Sequence, residues 1–171
     1  PHVSIHDHKI GIHNDKDTIV TKGKFIGLES INNTNPSKLI RAKAYLYQYE
    51  KFDAQAYLLD SALNLLNSIS LEKSYKERIH LFFLKQDDIA ILNICNSFED
   101  LSLNKISYDN NDAWTAYRIA QAHQNQELGI SETLFYYQKA VELAPYVLDF
   151  RLKLADMYSN INSFALAEKE Y

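Results

Sequence analysis

The sequence predicts an all-α chain of antiparallel helix hairpins stacked as repeats, with an extended, partly irregular segment in front of them. Three observations carry this expectation. No glycine occurs between Pro36 and Leu128, and apolar residues recur there at helical spacing. The last third of the chain repeats itself: Ile119, Ala120 and His123 return as Leu154, Ala155 and Tyr158, each 35 residues later. Turn-forming residues then divide the helical stretches, as in Gln126-Glu127-Leu128-Gly129-Ile130 and at Pro145.

Taken in order, residues 1–35 form the extended segment. It holds Gly11, Gly23 and Gly27, alternating runs at His2-Val3-Ser4-Ile5-His6 and Lys24-Phe25-Ile26-Gly27-Leu28, and a turn-forming boundary at Asn32 to Pro36. Residues 36–171 form the helical domain. In its first hairpin, 36–69, Ser37 caps a helix carrying Leu39, Ala42, Leu46 and Tyr49 on one face. After a turn near Glu50-Lys51-Phe52-Asp53, a second helix carries Ala56, Leu59, Ala62, Leu63 and Leu66. The second hairpin, 73–103, runs through Ile79 and Phe83, a turn at Gln86-Asp87-Asp88, and then Ile89, Leu92, Cys95 and Phe98. It lacks most of the small residues that mark the others. A linker, Ser102 to Asp112, leads to the third hairpin, 113–145, and the fourth, 148–171, begins three residues later. Small residues such as Ala120, Ala140, Ala155 and Ala167 let helix backbones approach, and Tyr137, Tyr158 and Phe164 fill the gaps. Pro145 ends its helix one residue earlier, because the residue before a proline is pushed out of the helical region. The competing architecture is a helical hairpin bundle without repeat symmetry.

The positions of Ile119-Ala120, His123, Tyr137, Ala140 and Pro145, and of Leu154-Ala155, Tyr158, Phe164, Ala167 and Tyr171, resemble the tetratricopeptide repeat pattern. The family's period is about 34 residues, and the extra residue here fits the turn Gln126 to Ile130. The resemblance implies a right-handed superhelical arc in which the first helices of successive hairpins line a concave groove for a peptide or partner protein. Projected onto this sequence, the groove takes Trp114, Tyr117, Arg118, Gln121, Gln124 and Asn125 from one hairpin. Leu152, Lys153, Asp156 and Asn160 follow from the next. This set combines a rigid aromatic, a guanidinium able to hold a carboxylate in two places, and amides able to bond peptide backbone. The alternative is an ordinary solvated helix face.

Composition narrows the function classes. Hydrophobic content of 46% and charge of 23% are those of a globular protein. The formal net charge of -4, with basic residues scattered, argues against a nucleic-acid interface. No stretch approaches the roughly 18 apolar residues of a membrane helix. Neither a glycine-rich phosphate loop, a Gly-x-Ser-x-Gly elbow nor a His-Glu-x-x-His helix occurs, so the expectation is a scaffold rather than an enzyme. Cys95 is the single cysteine, on an apolar face where a buried thiol is expected, and it excludes a Cys-based zinc cluster or a haem attachment motif in this chain. No cofactor is therefore expected within it.

Four histidines, His2, His6, His8 and His13, cluster in the first thirteen residues. They read as solvated side chains, as a metal site with Asp7, Asp15 and Asp17 behind it, or as haem ligands. The last reading comes from resemblance: Pro1 to Ile10 followed by Phe25-Ile26-Gly27-Leu28 is similar to the linker of bacterial multihaem c-type cytochromes with C-terminal tetratricopeptide repeats. That resemblance implies haem c in a parent protein, His2, His6 or His8 as an axial ligand, and a periplasmic or other extracytoplasmic location. Pro1 in place of methionine and Tyr171 in mid-helix predict a piece of a longer protein, with Phe164, Ala167 and Tyr171 left exposed or covered by a second copy.

Overall fold

The computed structural model describes residues 35–97 and 110–171, with side chains in the fifth helix described from Ala113 onward. These residues form eight helices: α1 (Lys38–Lys51), α2 (Ala56–Asn67), α3 (Leu71–Leu84), α4 (Asp88–Ser97), α5 (Asn110–Asn125), α6 (Ile130–Leu143), α7 (Leu148–Asn160) and α8 (Phe164–Glu170). They pair as four antiparallel hairpins, and the fold is all-α and repetitive. Each second helix also packs against the next first helix, and α1, α3 and α5 lie side by side. Residues 1–34 and 98–109, with the extended segment, its histidines and Phe98, lie outside the described residues.

Local chemistry sets the helix ends. The Ser37 hydroxyl accepts the Ile40 N–H at 3.3 Å, and the Asp87 carboxylate accepts the Ala90 N–H at 3.0 Å, so two first turns are capped by side chains. α6 stops at Leu143, two residues before Pro145. At the end of α2, Arg78 reaches over from α3 and donates to the Leu66 carbonyl at 2.7 Å. A cation at a helix C-terminus satisfies orphan carbonyls and meets the negative end of the helix dipole.

The turns inside the hairpins show the repeat most directly. In each, an N–H just past the first helix bonds back to a carbonyl five residues earlier: Asp53 to Gln48 (3.0 Å), Asp87 to Phe82 (2.9 Å), Leu128 to His123 (3.0 Å) and Ser163 to Tyr158 (2.8 Å). In the last three this is the outer bond of a Schellman-type C-cap, whereas the first closes with Phe52 at φ -128°. In the last three, the residue before the donor has positive φ: Gln86 at 56°, Glu127 at 52° and Asn162 at 59°. The accepting residues Gln48, Phe82, His123 and Tyr158 are spaced 34, 41 and 35 residues apart. The long interval contains the stretch between α4 and α5.

The core divides into three clusters along the stack. One, of Ala42, Tyr45, Leu46, Leu58, Leu59, Ala62, Leu66 and Leu81, fills α1 to α3. Ile79, Ile91, Ile94, Ile119 and Ala122 join α3, α4 and α5. Around Tyr117, Tyr137, Phe150 and Tyr158, seven alanines bring α5 to α8 together. In α4 the buried face differs from the sequence expectation. Ile91 and Ile94 are buried, Leu92 and Cys95 only partly, and Ile89 is 61% exposed. The segment Ile89-Ala90-Ile91-Leu92-Asn93-Ile94-Cys95 is apolar nearly all round, so periodicity alone leaves its inward face undetermined. At the C-terminal end, Ala167 is buried against the rest of its hairpin, whereas Phe164 and Tyr171 are 64% and 65% exposed. Among the described residues, no helix is long and apolar enough to cross a membrane.

Candidate functional site

Aligning the hairpins on their turn bonds sets the register of the first helices. The position five residues before the accepting carbonyl is occupied by Lys43, Glu77, Arg118 and Lys153 in turn. The position two before it holds Leu46, His80, Gln121 and Asp156. Glu50 and Asn125 stand at the equivalent place beyond it. Contacts between neighbouring helices agree with this alignment, since Lys43 and Glu77 form an ion pair at 3.0 Å across α1 and α3.

The centre of this face is Arg118. Its guanidinium lies 5.6 Å from the centroid of the Phe83 ring and 5.7 Å from that of Trp114, within cation-π range of both. Its Nε is buried and has no hydrogen-bond partner among the described residues. Burial lowers the Arg118 pKa to about 10, against the opposing pull of Glu50, so the side chain stays protonated at neutral pH.

Beside it, the Glu50 carboxylate accepts from Lys51 Nζ at 3.2 Å and lies 3.2 Å from His80 Nε2. The His80 contact has ion-pair distance but not hydrogen-bond geometry, leaving Nε2 buried and unbonded among the described residues. Burial and then the Arg118 charge depress the His80 pKa to about 4, more than Glu50 raises it, so His80 is neutral at pH 7. Although burial acts the other way, the Lys51 hydrogen bond and neighbouring positive charges hold Glu50 below the usual carboxylate range.

Trp114 is set rigidly. Its ring meets Phe150 edge-on at 4.7 Å and Tyr117 at 5.6 Å, and Tyr117 in turn meets Tyr137 at 5.8 Å. An anchored indole that is 37% exposed offers contact area with little rotamer entropy left to lose.

The structure separates the sequence-designated residues. Trp114, Arg118, Gln121 and Lys153 lie on this face. Tyr117, only 8% exposed, belongs to the core beneath it, and Gln124 is used internally, accepting the Tyr137 hydroxyl at 2.6 Å. Asn125 donates to Asp88 at 3.1 Å, tying α5 to α4. Asp156 and Asn160 are exposed, with Asp156 accepting from the Tyr171 hydroxyl at 3.4 Å. Sequence reading missed Glu50, His80 and Phe83. The signal for them is the turn-based alignment, which places Glu50 and His80 at the same repeat positions as Asn125 and Gln121.

Cys95 is partly buried, and burial pushes its thiol up to about 11, so it carries no thiolate reactivity at neutral pH. Among the described residues, no group of three His, Cys, Asp or Glu side chains is placed to hold a metal ion. His2, His6 and His8 lie outside the described residues. No protein-family model, no curated protein and no solved structure matches the chain.

Proposed function

We propose that this chain is a protein-protein interaction scaffold of the tetratricopeptide type, and that the face of its first helices binds an extended peptide or a partner helix. The observation that carries this reading is the combination on one face of an anchored indole, Trp114, and a guanidinium, Arg118, whose buried Nε has no hydrogen-bond partner among the described residues. Residues that only stabilise a fold normally have their buried donors satisfied, and binding surfaces concentrate their energy in aromatic and arginine side chains at their centre. Gln121, next to them, supplies an amide suited to peptide backbone.

Trp114 is the single tryptophan of the chain, so its emission reports on this face without labelling. Selection of random peptides on the immobilised full chain should yield binders that shift Trp114 fluorescence. Their affinity should fall by about tenfold or more in Trp114→Ala, as expected for a central aromatic anchor. Binders that leave the emission unchanged and bind Trp114→Ala equally well would place recognition elsewhere.

A further inference from the structure

The first helix carries, exposed, a stripe of residues that the other three first helices use for stacking. Ile40, Ala44 and Tyr47 stand eight, four and one residues before Gln48, the acceptor of the first turn bond. Their counterparts are Ser74, Arg78 and Leu81 in α3, Thr115, Ile119 and Ala122 in α5, and Phe150, Leu154 and Met157 in α7. All of these except Arg78 are buried, and Arg78 caps the preceding helix, α2. Leu81 packs in the cluster of α1 and α2 residues, Ile119 and Ala122 in that of α3 and α4, and Phe150, Leu154 and Met157 with α5 and α6. In each hairpin the stripe therefore meets the one before it.

In α1, Ile40 and Tyr47 are 58% and 57% exposed and Ala44 between them is half-buried. The exposed Phe52 ring meets Tyr47 edge-on at 5.7 Å and lengthens the patch. The end of a repeat stack that faces water is normally polar, and this stripe is not. We infer that the chain's own residues 25–28, Phe25-Ile26-Gly27-Leu28, cover it, in the place that a preceding hairpin holds elsewhere in the stack. This is independent of the peptide-binding reading around Trp114.

Three considerations select this occupant. Before α1, Phe25 to Leu28 is the only place where three of four consecutive residues are large and apolar. It is also within reach: the seven residues from Leu28 to Asn35 span at most about 25 Å, and Ile40 to Tyr47 is about 10 Å along the helix. Finally, a segment tethered this closely acts at an effective concentration on the order of millimolar, which favours it over a second copy of the chain at micromolar protein.

Photo-cross-linking of the full chain tests this, with p-benzoylphenylalanine in place of Tyr47 and, in a second variant, of Ile40. Both sites are exposed among the described residues, so the label replaces no core side chain. Irradiation should join the label to residues 25–28 within a single chain, as mapped by mass spectrometry of the monomer band. Cross-links to a second copy, to another part of the chain, or to nothing at either site overturn the inference. A label-free measurement asks the same of the segment. In the double variant Phe25→Asp, Leu28→Asp, hydrogen exchange of the α1 amides should accelerate several-fold, while that of the internal helix α7 stays as it was. Unchanged exchange in α1 overturns the inference whatever cross-links form.

Discussion

The first hairpin and the last two make the same antiparallel helix pairing with different core chemistry. Around α1 and α2 the space is filled by leucines, Leu46, Leu58, Leu59, Leu66 and Leu81, with only Ala42 and Ala62 as small residues. Around α5 to α8, seven alanines let the helices approach and four rings, Tyr117, Tyr137, Phe150 and Tyr158, fill what remains. Yet the turn bond that closes the first helix is the same at Gln48, His123 and Tyr158. The repeat is therefore specified by backbone closure and by which face is apolar. The volume on that face can be divided between small and large residues in more than one way.

This contrast can be broken most severely in the ring-filled half. Tyr137 is fully buried and its hydroxyl is bonded to Gln124, so Tyr137→Ala should cost about 3–5 kcal/mol in denaturant unfolding, as large aromatic truncations do. In the leucine-filled half, Leu58→Ala leaves a cavity in place of a fully buried side chain, with an expected loss of about 2–5 kcal/mol. Overpacking tests the alanines directly. Ala155→Leu, at a position of zero exposure between helices, should cost about 1–3 kcal/mol. A neutral result there would mean that the close approach of α7 does not depend on small side chains.

A smaller, pH-dependent effect belongs to the junction between the halves. In the unfolded chain His80 takes up its proton near the ordinary value of 6.5, but in the fold only near 4. Between these values the unfolded state binds more protons, so stability is full above pH 6.5 and declines as pH falls towards 4. Glu50, whose pKa is lowered, acts in the same sense at the acid end. His80→Gln should flatten the pH dependence of the urea midpoint by close to one proton, and an unchanged slope would show that His80 does not titrate in this way.

The smallest expected effect concerns the turns. Gln86 and Glu127 hold left-handed backbone that favours glycine. Gln86→Gly and Glu127→Gly should each raise stability by at most about 1 kcal/mol, relief of strain being offset by added unfolded-state entropy. Asn162, of a residue type that tolerates this region, should gain less on the same change. Thermal melts of the three variants give the ranking.

Much of the fold was legible because its punctuation is chemical. Ser37, Asp87 and Pro145 mark helix ends by mechanisms that work locally, and the alanine-ring pairs of the last two hairpins return at a fixed interval. The second hairpin was harder to place, since Ile79 stands where Ala120 and Ala155 stand and α4 is apolar on several sides. Aligned on the turns, the first two repeats begin at 38 and 72 rather than near 36 and 73. That shift also explains the incomplete candidate site. Trp114 and Arg118 stood out as residue types, but Glu50, His80 and Phe83 acquire a role only once α1 and α3 lie beside α5. Conversely, Tyr117 and Gln124 have binding-type chemistry that the structure spends on its own core.

Among the described residues, the main helix packing runs between helices no more than two places apart in the chain. Among those residues, no extensive packing joins the first hairpin to the last. Pulled from its ends in an optical trap, the molecule should yield in successive steps of one hairpin each instead of a single rupture, behaving more like a row of linked springs than a solid body.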